Sequence, residues 1–229
     1  MRVDGLLFDK DGTLFDFGAT WNSWAGGMIR DFANGDDALA ERIARAMDFD
    51  LGTGAFLPQS IIIAGTNRDA AEAVASALPG ADVAALEERL MRAAATAPLV
   101  EAVPLGAFLD DLAGFGMRLG VMTNDTEYAA RAHLGEAGVV EKFDFVAGFD
   151  SGFGAKPDPS PLLAFADQMS LDPARVVMVG DSTHDLVAGR RAGMQTVAVL
   201  TGVALEDELA PYADAVFPDI GHLTAWVQG

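Results

Sequence analysis

Three short apolar runs in this chain each stop at a polar cluster, and that recurrence constrains the fold more than any other feature. Leu6-Leu7-Phe8 stops at Asp9 and Asp11. The run from Met117 to Met122 delivers Thr123 and Asn124, and Arg175-Val176-Val177-Met178-Val179 ends at Gly180-Asp181-Ser182-Thr183-His184-Asp185. Short, unbroken apolar runs predict central strands covered on both faces, which is the habit of parallel sheets. In an open parallel sheet the carboxyl ends of the strands share one edge, where ligands bind. Polar clusters scattered by chance would not favour that edge three times.

Strand-like and helix-like segments alternate through the second half of the chain. Helices are predicted at Leu105–Leu112, Thr126–Gly135, Leu162–Met169 and Leu186–Ala192, with further strands at Phe143–Val146, Thr196–Leu200 and Ala215–Phe217. The economical architecture is α/β, a Rossmann-like, mostly parallel sheet flanked by helices. Residues 18–97 read differently. Apolar residues recur there at helical spacing over Thr20–Phe32, Asp37–Phe49, Arg68–Leu78 and Val83–Ala97, Gly52–Pro58 reads as a loop, and Pro79-Gly80 is a strong break. The expected organisation is an α/β core of 1–17 and 98–229 interrupted by an inserted all-helical cap, 18–97.

At 229 residues the chain can hold one good-sized core with a smaller attachment. A formal net charge of −19 argues against nucleic acid and acidic membrane as partners, because both are polyanions. The same charge obliges any site for a small anion to concentrate cations locally. Lack of cysteine excludes disulfide and thiolate chemistry. With no membrane-length apolar stretch and no leader-like segment before the first strand, a cytoplasmic location is expected.

Two carboxylates spaced two apart can share a cation, or divide nucleophilic and acid–base duties. The plainer reading is a strand followed by an Asp-Gly turn. Mg²⁺ favours hard oxygens, and Asp9 and Asp181 are the best direct ligands, with Asp185 either coordinating or holding a metal-bound water. Asp185 could instead cap the helix that follows. A phosphate would also need donors: the Thr123 hydroxyl, the Asn124 amide or backbone N–H, and Lys156, a loop lysine constrained by Pro157 and Pro159. At the entry to the cap and within it, Phe17, Trp21 and Trp24 are either ordinary core or the wall of a substrate cleft, joined by Phe56. Six arginines, Arg30, Arg42, Arg45, Arg68, Arg89 and Arg92, lie in the same region. Arg68, after the turn-like Gly65-Thr66-Asn67, is the candidate for binding a substrate carboxylate.

Asp9-Lys10-Asp11-Gly12-Thr13, Thr123-Asn124, Lys156-Pro157 and Gly180-Asp181-Ser182-Thr183-His184-Asp185 resemble, in order, the four motifs of the haloacid dehalogenase-like hydrolase superfamily. The helical insertion resembles that family's helical cap, and the nearest group looks like the phosphoglycolate phosphatases. The resemblance implies that Asp9 is a nucleophile forming an aspartyl-phosphate, and that Asp11 is general acid and then base, with its backbone carbonyl on Mg²⁺. It implies that Thr123 and the Asn124 backbone anchor phosphate, that Lys156 neutralises charge, and that Asp181 and Asp185 bind the metal. The dehalogenase branch lacks the second aspartate, so Asp11 favours phosphoryl chemistry. A Mg²⁺-dependent hydrolase of a small phosphorylated metabolite follows, with phosphoglycolate the named ester and a monomer or homodimer the expected state. A phosphomutase, a pyrophosphatase or a non-catalytic phosphate-ligand binding protein is the alternative. Cap closure would turn on hinges near Phe15–Gly18 and Ala97–Pro104.

Overall fold

The computed structural model describes residues 3–229. Strand β1 (Gly5–Phe8) is followed by the insertion: α1 (Phe17–Ala33), α2 (Asp37–Ala46), β2 (Phe49–Asp50), β3 (Ala55–Phe56), α3 (Asn67–Ala77) and α4 (Val83–Ala94). The chain then runs through α5 (Leu105–Gly114), β4 (Arg118–Met122), α6 (Glu127–Glu136), β5 (Phe145–Ala147), α7 (Ser160–Gln168) and β6 (Val176–Gly180). It finishes with α8 (Thr183–Arg191), β7 (Gln195–Val199), α9 (Glu206–Leu209), β8 (Ala215–Phe217) and α10 (Leu223–Gln228).

Six strands form a sheet in the order β5-β4-β1-β6-β7-β8, parallel throughout. Leu6 lies between Leu119 of β4 and Val177 of β6. The strand order reverses direction at β1, and such a switch point leaves a crevice at the strands' carboxyl ends. Side chains alternate between two buried layers. Leu6 and Phe8 pack with Leu109 of α5 and Leu134 of α6, whereas Leu7 packs with Phe165 of α7 and Ala188 of α8. Burial on both faces explains the lack of polar alternation, and each such side chain contributes about 1.5–3 kcal/mol.

The insertion has its own apolar core, containing Ile29, Ile43, Met47, Phe49, Val74 and Leu90. Helix α1 starts three residues before the predicted Thr20 because Asp16 Oδ1 accepts from the Ala19 N–H at 2.7 Å. Helix α2 stops at Ala46 rather than reaching Phe49. Asp48 takes a left-handed φ of 50°, and Phe49 pairs antiparallel with Phe56. Their rings meet edge to face at 5.1 Å, so the helical insertion contains one small hairpin where a helix end and a loop were expected.

The two connections to the insertion run side by side. Asp16 N donates to Val100 O and Ala102 N donates to Leu14 O, both at 2.9 Å, around an antiparallel bridge between Phe15 and Glu101. Among the described residues no helix is long and apolar enough to cross a membrane.

Candidate active site

Because β4, β1 and β6 are neighbours, Thr123, Asp9 and Asp181 emerge side by side just past their ends. The Asp9 N–H donates to Val179 O at 2.8 Å, so the sheet register holds to the first carboxylate. Oxygens of Asp9, Asp181 and Asp185 lie within 4.8 Å of one another, and all three residues are buried. Lys156 Nζ stands 2.6 Å from Asp9 Oδ1 and 2.6 Å from Asp185 Oδ1. Its loop is held by Asn124, whose Nδ2 donates to Lys156 O and whose Oδ1 accepts from Lys156 N, both at 2.9 Å.

Charge is unbalanced here: three carboxylates face one ammonium. Burial, helped by Asp185 and Asp11 and opposed by Lys156, pushes Asp9 up to about 7. Burial, then the charges of Asp9 and Asp185, holds Asp181 well above the carboxylate range. Burial works against the Lys156 charge, but Asp185 and Asp9 outweigh it and raise its affinity for the proton. A buried set of hard oxygens short of positive charge fits a divalent cation such as Mg²⁺. Backbone without side chains makes room for the Asp181 carboxylate. A Cβ on Gly12, whose φ is 78°, would sit 2.3 Å from Asp181 Oδ2, and one on Gly202 would sit 1.7 Å from the same oxygen.

Asp185 takes part in capping α8 through one oxygen, as the third helical residue rather than as the N-cap, which is Ser182. Oδ2 accepts from Ser182 Oγ at 2.7 Å and from Ser182 N at 3.1 Å, closing the capping box of α8. Oδ1 is left for Lys156 and the cluster.

Behind the cluster lies a second buried lysine. Lys10 Nζ is 2.9 and 2.8 Å from the two Asp11 oxygens, 3.2 Å from Asp125 Oδ2 and 3.0 Å from His133 Nδ1. His133 Nε2 is 2.8 Å from the Ala94 carbonyl of the cap. A carbonyl can only accept, so Nε2 carries the hydrogen and Nδ1 accepts from Lys10. Burial, then the Lys10 charge, lowers the His133 pKa and keeps the ring neutral. The Trp21 ring closes over Lys10 Nζ with its centroid at 5.3 Å. Sequence reasoning missed this group: Lys10 stands unremarked between two motif aspartates, and His133 is 123 residues away.

The cap supplies the other wall of the cleft through Phe17, Trp21, Trp24, Phe56, Ile62 and Ile63. Its Ala64 carbonyl meets the core, accepting from Asn124 Nδ2 at 2.9 Å and from His184 Nδ1 at 3.1 Å. Asn124 thereby spends its side chain on Ala64 and Lys156. The fold brings Asp9, Asp11, Thr123, Asn124, Lys156, Asp181 and Asp185 to the cleft with Phe17, Trp21 and Phe56. It does not bring Arg68. That guanidinium, half exposed on α3, pairs with Glu72 one turn on and with Glu87 of α4, each at 2.9 Å.

Residues 6–199 match the family described as haloacid dehalogenase-like hydrolase. The chain belongs to that family. The N-acetylmuramic acid 6-phosphate phosphatase of Pseudomonas putida is 32% identical over 207 residues, which is 88% of this chain and 85% of the relative. A phosphoglycolate phosphatase of Rhodospirillum rubrum is 38% identical over 121 residues, 53% of this chain, and the chain spans only 50% of that relative's length. Among solved structures, the L-2-haloacid dehalogenase of Xanthobacter autotrophicus superposes with a TM-score of 0.67 at 20% identity, covering 100% of this chain and 99% of its own. A hydrolase from Pseudomonas syringae gives 0.70 at 20% identity, covering 99% of each chain. At that identity the likenesses to this hydrolase speak for the fold.

Proposed function

We propose that this hydrolase releases phosphate from a small phosphorylated metabolite through an aspartyl-phosphate on Asp9, with Mg²⁺ as cofactor. The observation that carries the reading is Asp11, a second carboxylate in the cleft with Asp9 and Lys156. A single nucleophilic carboxylate suffices to displace a good leaving group, but an alkoxide must be protonated as it departs. In the first step an Asp9 oxygen attacks phosphorus, the bond to the ester oxygen breaks, and Asp11 gives that oxygen its proton. In the second, Asp11 takes a proton from water as the water attacks phosphorus, freeing phosphate and Asp9.

Lys156, touching Asp9, offsets the charge of the incoming phosphoryl group, and the Thr123 hydroxyl is a candidate donor to its oxygens. With the Asn124 side chain engaged, its backbone N–H is the matching donor. Asp9, Asp181, Asp185 and the Asp11 carbonyl would hold Mg²⁺, which when bound screens charge on the phosphoryl oxygens. The paired linkers support a cap of residues 18–97 that moves as a body over a core of 1–17 and 98–229.

Kinship supports phosphoglycolate and a sugar phosphate as members of the test panel. The test is phosphate release from a broad set of monoesters, with Mg²⁺ or EDTA, beside Asp9→Asn. Selective Mg²⁺-dependent turnover, lost on substitution, is expected; turnover undiminished in Asp9→Asn would sink the reading.

A further inference from the structure

The cleft has two unlike halves. Its floor holds the carboxylates and one cation, Lys156, which Asp9 and Asp185 already occupy. The half that would receive the alcohol portion of an ester is walled by Phe17, Trp21, Trp24, Phe56, Ile62 and Ile63. These rings brace one another: Trp21 and Trp24 meet edge to face at 5.2 Å, and Phe17 and Phe56 at 6.1 Å. None of the six cap arginines lines the cleft. Arg68 and Arg92 are paired with glutamates, and the Arg89 guanidinium lies over the Phe32 ring at 4.1 Å.

Two polar side chains of the roof are also engaged. Thr66 Oγ1 donates to Asp69 Oδ2 at 2.7 Å, and Asn67 Nδ2 donates to Glu87 O at 2.9 Å. The Ala64 contacts with Asn124 and His184 seat the roof on the core, so this wall is the one a bound ester meets. A carboxylate on the alcohol portion would lose its water against aromatic rings, meet no lysine or arginine on the cap side, and face Asp11 and Asp125, two carboxylates that share the single ammonium of Lys10.

Resting on the phosphatase reading, we infer that the ester's alcohol portion is uncharged and ring-bearing or otherwise apolar, and that carboxylated esters such as phosphoglycolate are discriminated against. Matched pairs test this directly: phenyl phosphate against 4-carboxyphenyl phosphate, and propyl phosphate against phosphoglycolate, with Mg²⁺. The neutral member is expected to have a kcat/KM higher by about tenfold or more in each pair. Equal or better turnover of the carboxylated member overturns the inference. Calorimetric binding of benzylphosphonate and 4-carboxybenzylphosphonate to the Mg²⁺-loaded Asp9→Asn protein separates the two claims. Tighter binding of the neutral phosphonate upholds the ligand class even if no ester in the panel is turned over, a result that would count against the phosphatase alone. Equal or tighter binding of the carboxylated phosphonate overturns the ligand class whatever the turnover.

Discussion

Lys156 and Lys10 are both buried ammonium groups, each within reach of two carboxylates, yet their surroundings assign them different work. Lys156 touches Asp9 and Asp185 at the cleft floor, where both partners belong to the metal-binding cluster. Lys10 sits one layer back with Asp11 and Asp125, and spends its remaining donor capacity on a neutral imidazole. That imidazole holds the Ala94 carbonyl, so Lys10 ties core to cap while Lys156 faces the cleft. A buried charge takes its role from what its partners do, and the pair can be pulled apart by substitution.

The largest effect is expected at Lys156. Lys156→Met removes the only cation touching Asp9 among the described residues and should lower kcat by about 10³-fold or more at saturating Mg²⁺, with a loss of stability as well because buried Asp9 and Asp185 lose their partner. Lys10→Met should weigh more on stability than on turnover. It leaves buried Asp125, and Asp11 at the cleft, without their shared cation, at a cost of about 3–5 kcal/mol in urea unfolding, with a smaller loss of kcat than Lys156→Met. Equal catalytic losses in the two variants at unchanged stability would erase the distinction.

Next in size is the response of the metal-free protein to pH. Asp9 titrates near 7 in the fold against an ordinary 3.8, so between those values the folded chain holds more protons than the unfolded one. Stability therefore falls as pH rises through that window, by a few kcal/mol at most on the order of the shift, and raised Asp181 acts in the same sense. Lys156 adds no slope there, because its raised affinity is felt only above its ordinary 10.5. The urea midpoint in EDTA should be lower at pH 8 than at pH 5, recover with Mg²⁺ at pH 8, and lose part of its slope in Asp9→Asn, the remainder belonging to Asp181. A flat midpoint would mean that Lys156 alone balances the cluster.

The smallest expected effect is at His133. His133→Leu deletes the acceptor for Lys10 and the donor to Ala94, and should cost about 1–3 kcal/mol. His133→Gln, which can both accept and donate, should restore part of that in thermal unfolding.

Much of this was legible in the chain, for a physical reason. A central parallel strand is an unbroken apolar run, and where it stops its next side chain must face the sheet edge; Leu6–Phe8 before Asp9 is readable without coordinates. Partners from distant segments leave no such trace. Nothing near Lys10 indicates that His133 and Ala94 will enclose it. The hairpin at Phe49 and Phe56 was hidden because each strand has two residues, too few to show alternation. Arg68 looked available for a substrate until Glu72 and Glu87 were found beside it.

The side-by-side linkers at Leu14–Asp16 and Val100–Ala102 have a consequence for how such a molecule can diversify. Because both ends of the insertion leave the core at one paired ribbon, the core experiences some eighty residues as if they were a tight loop. Loop-closure cost grows so slowly that doubling the insertion would add only about 0.6 kcal/mol. The insertion can therefore change in length or in its own core while the paired ribbon, and with it the edge of the sheet that carries Asp9, keeps its geometry.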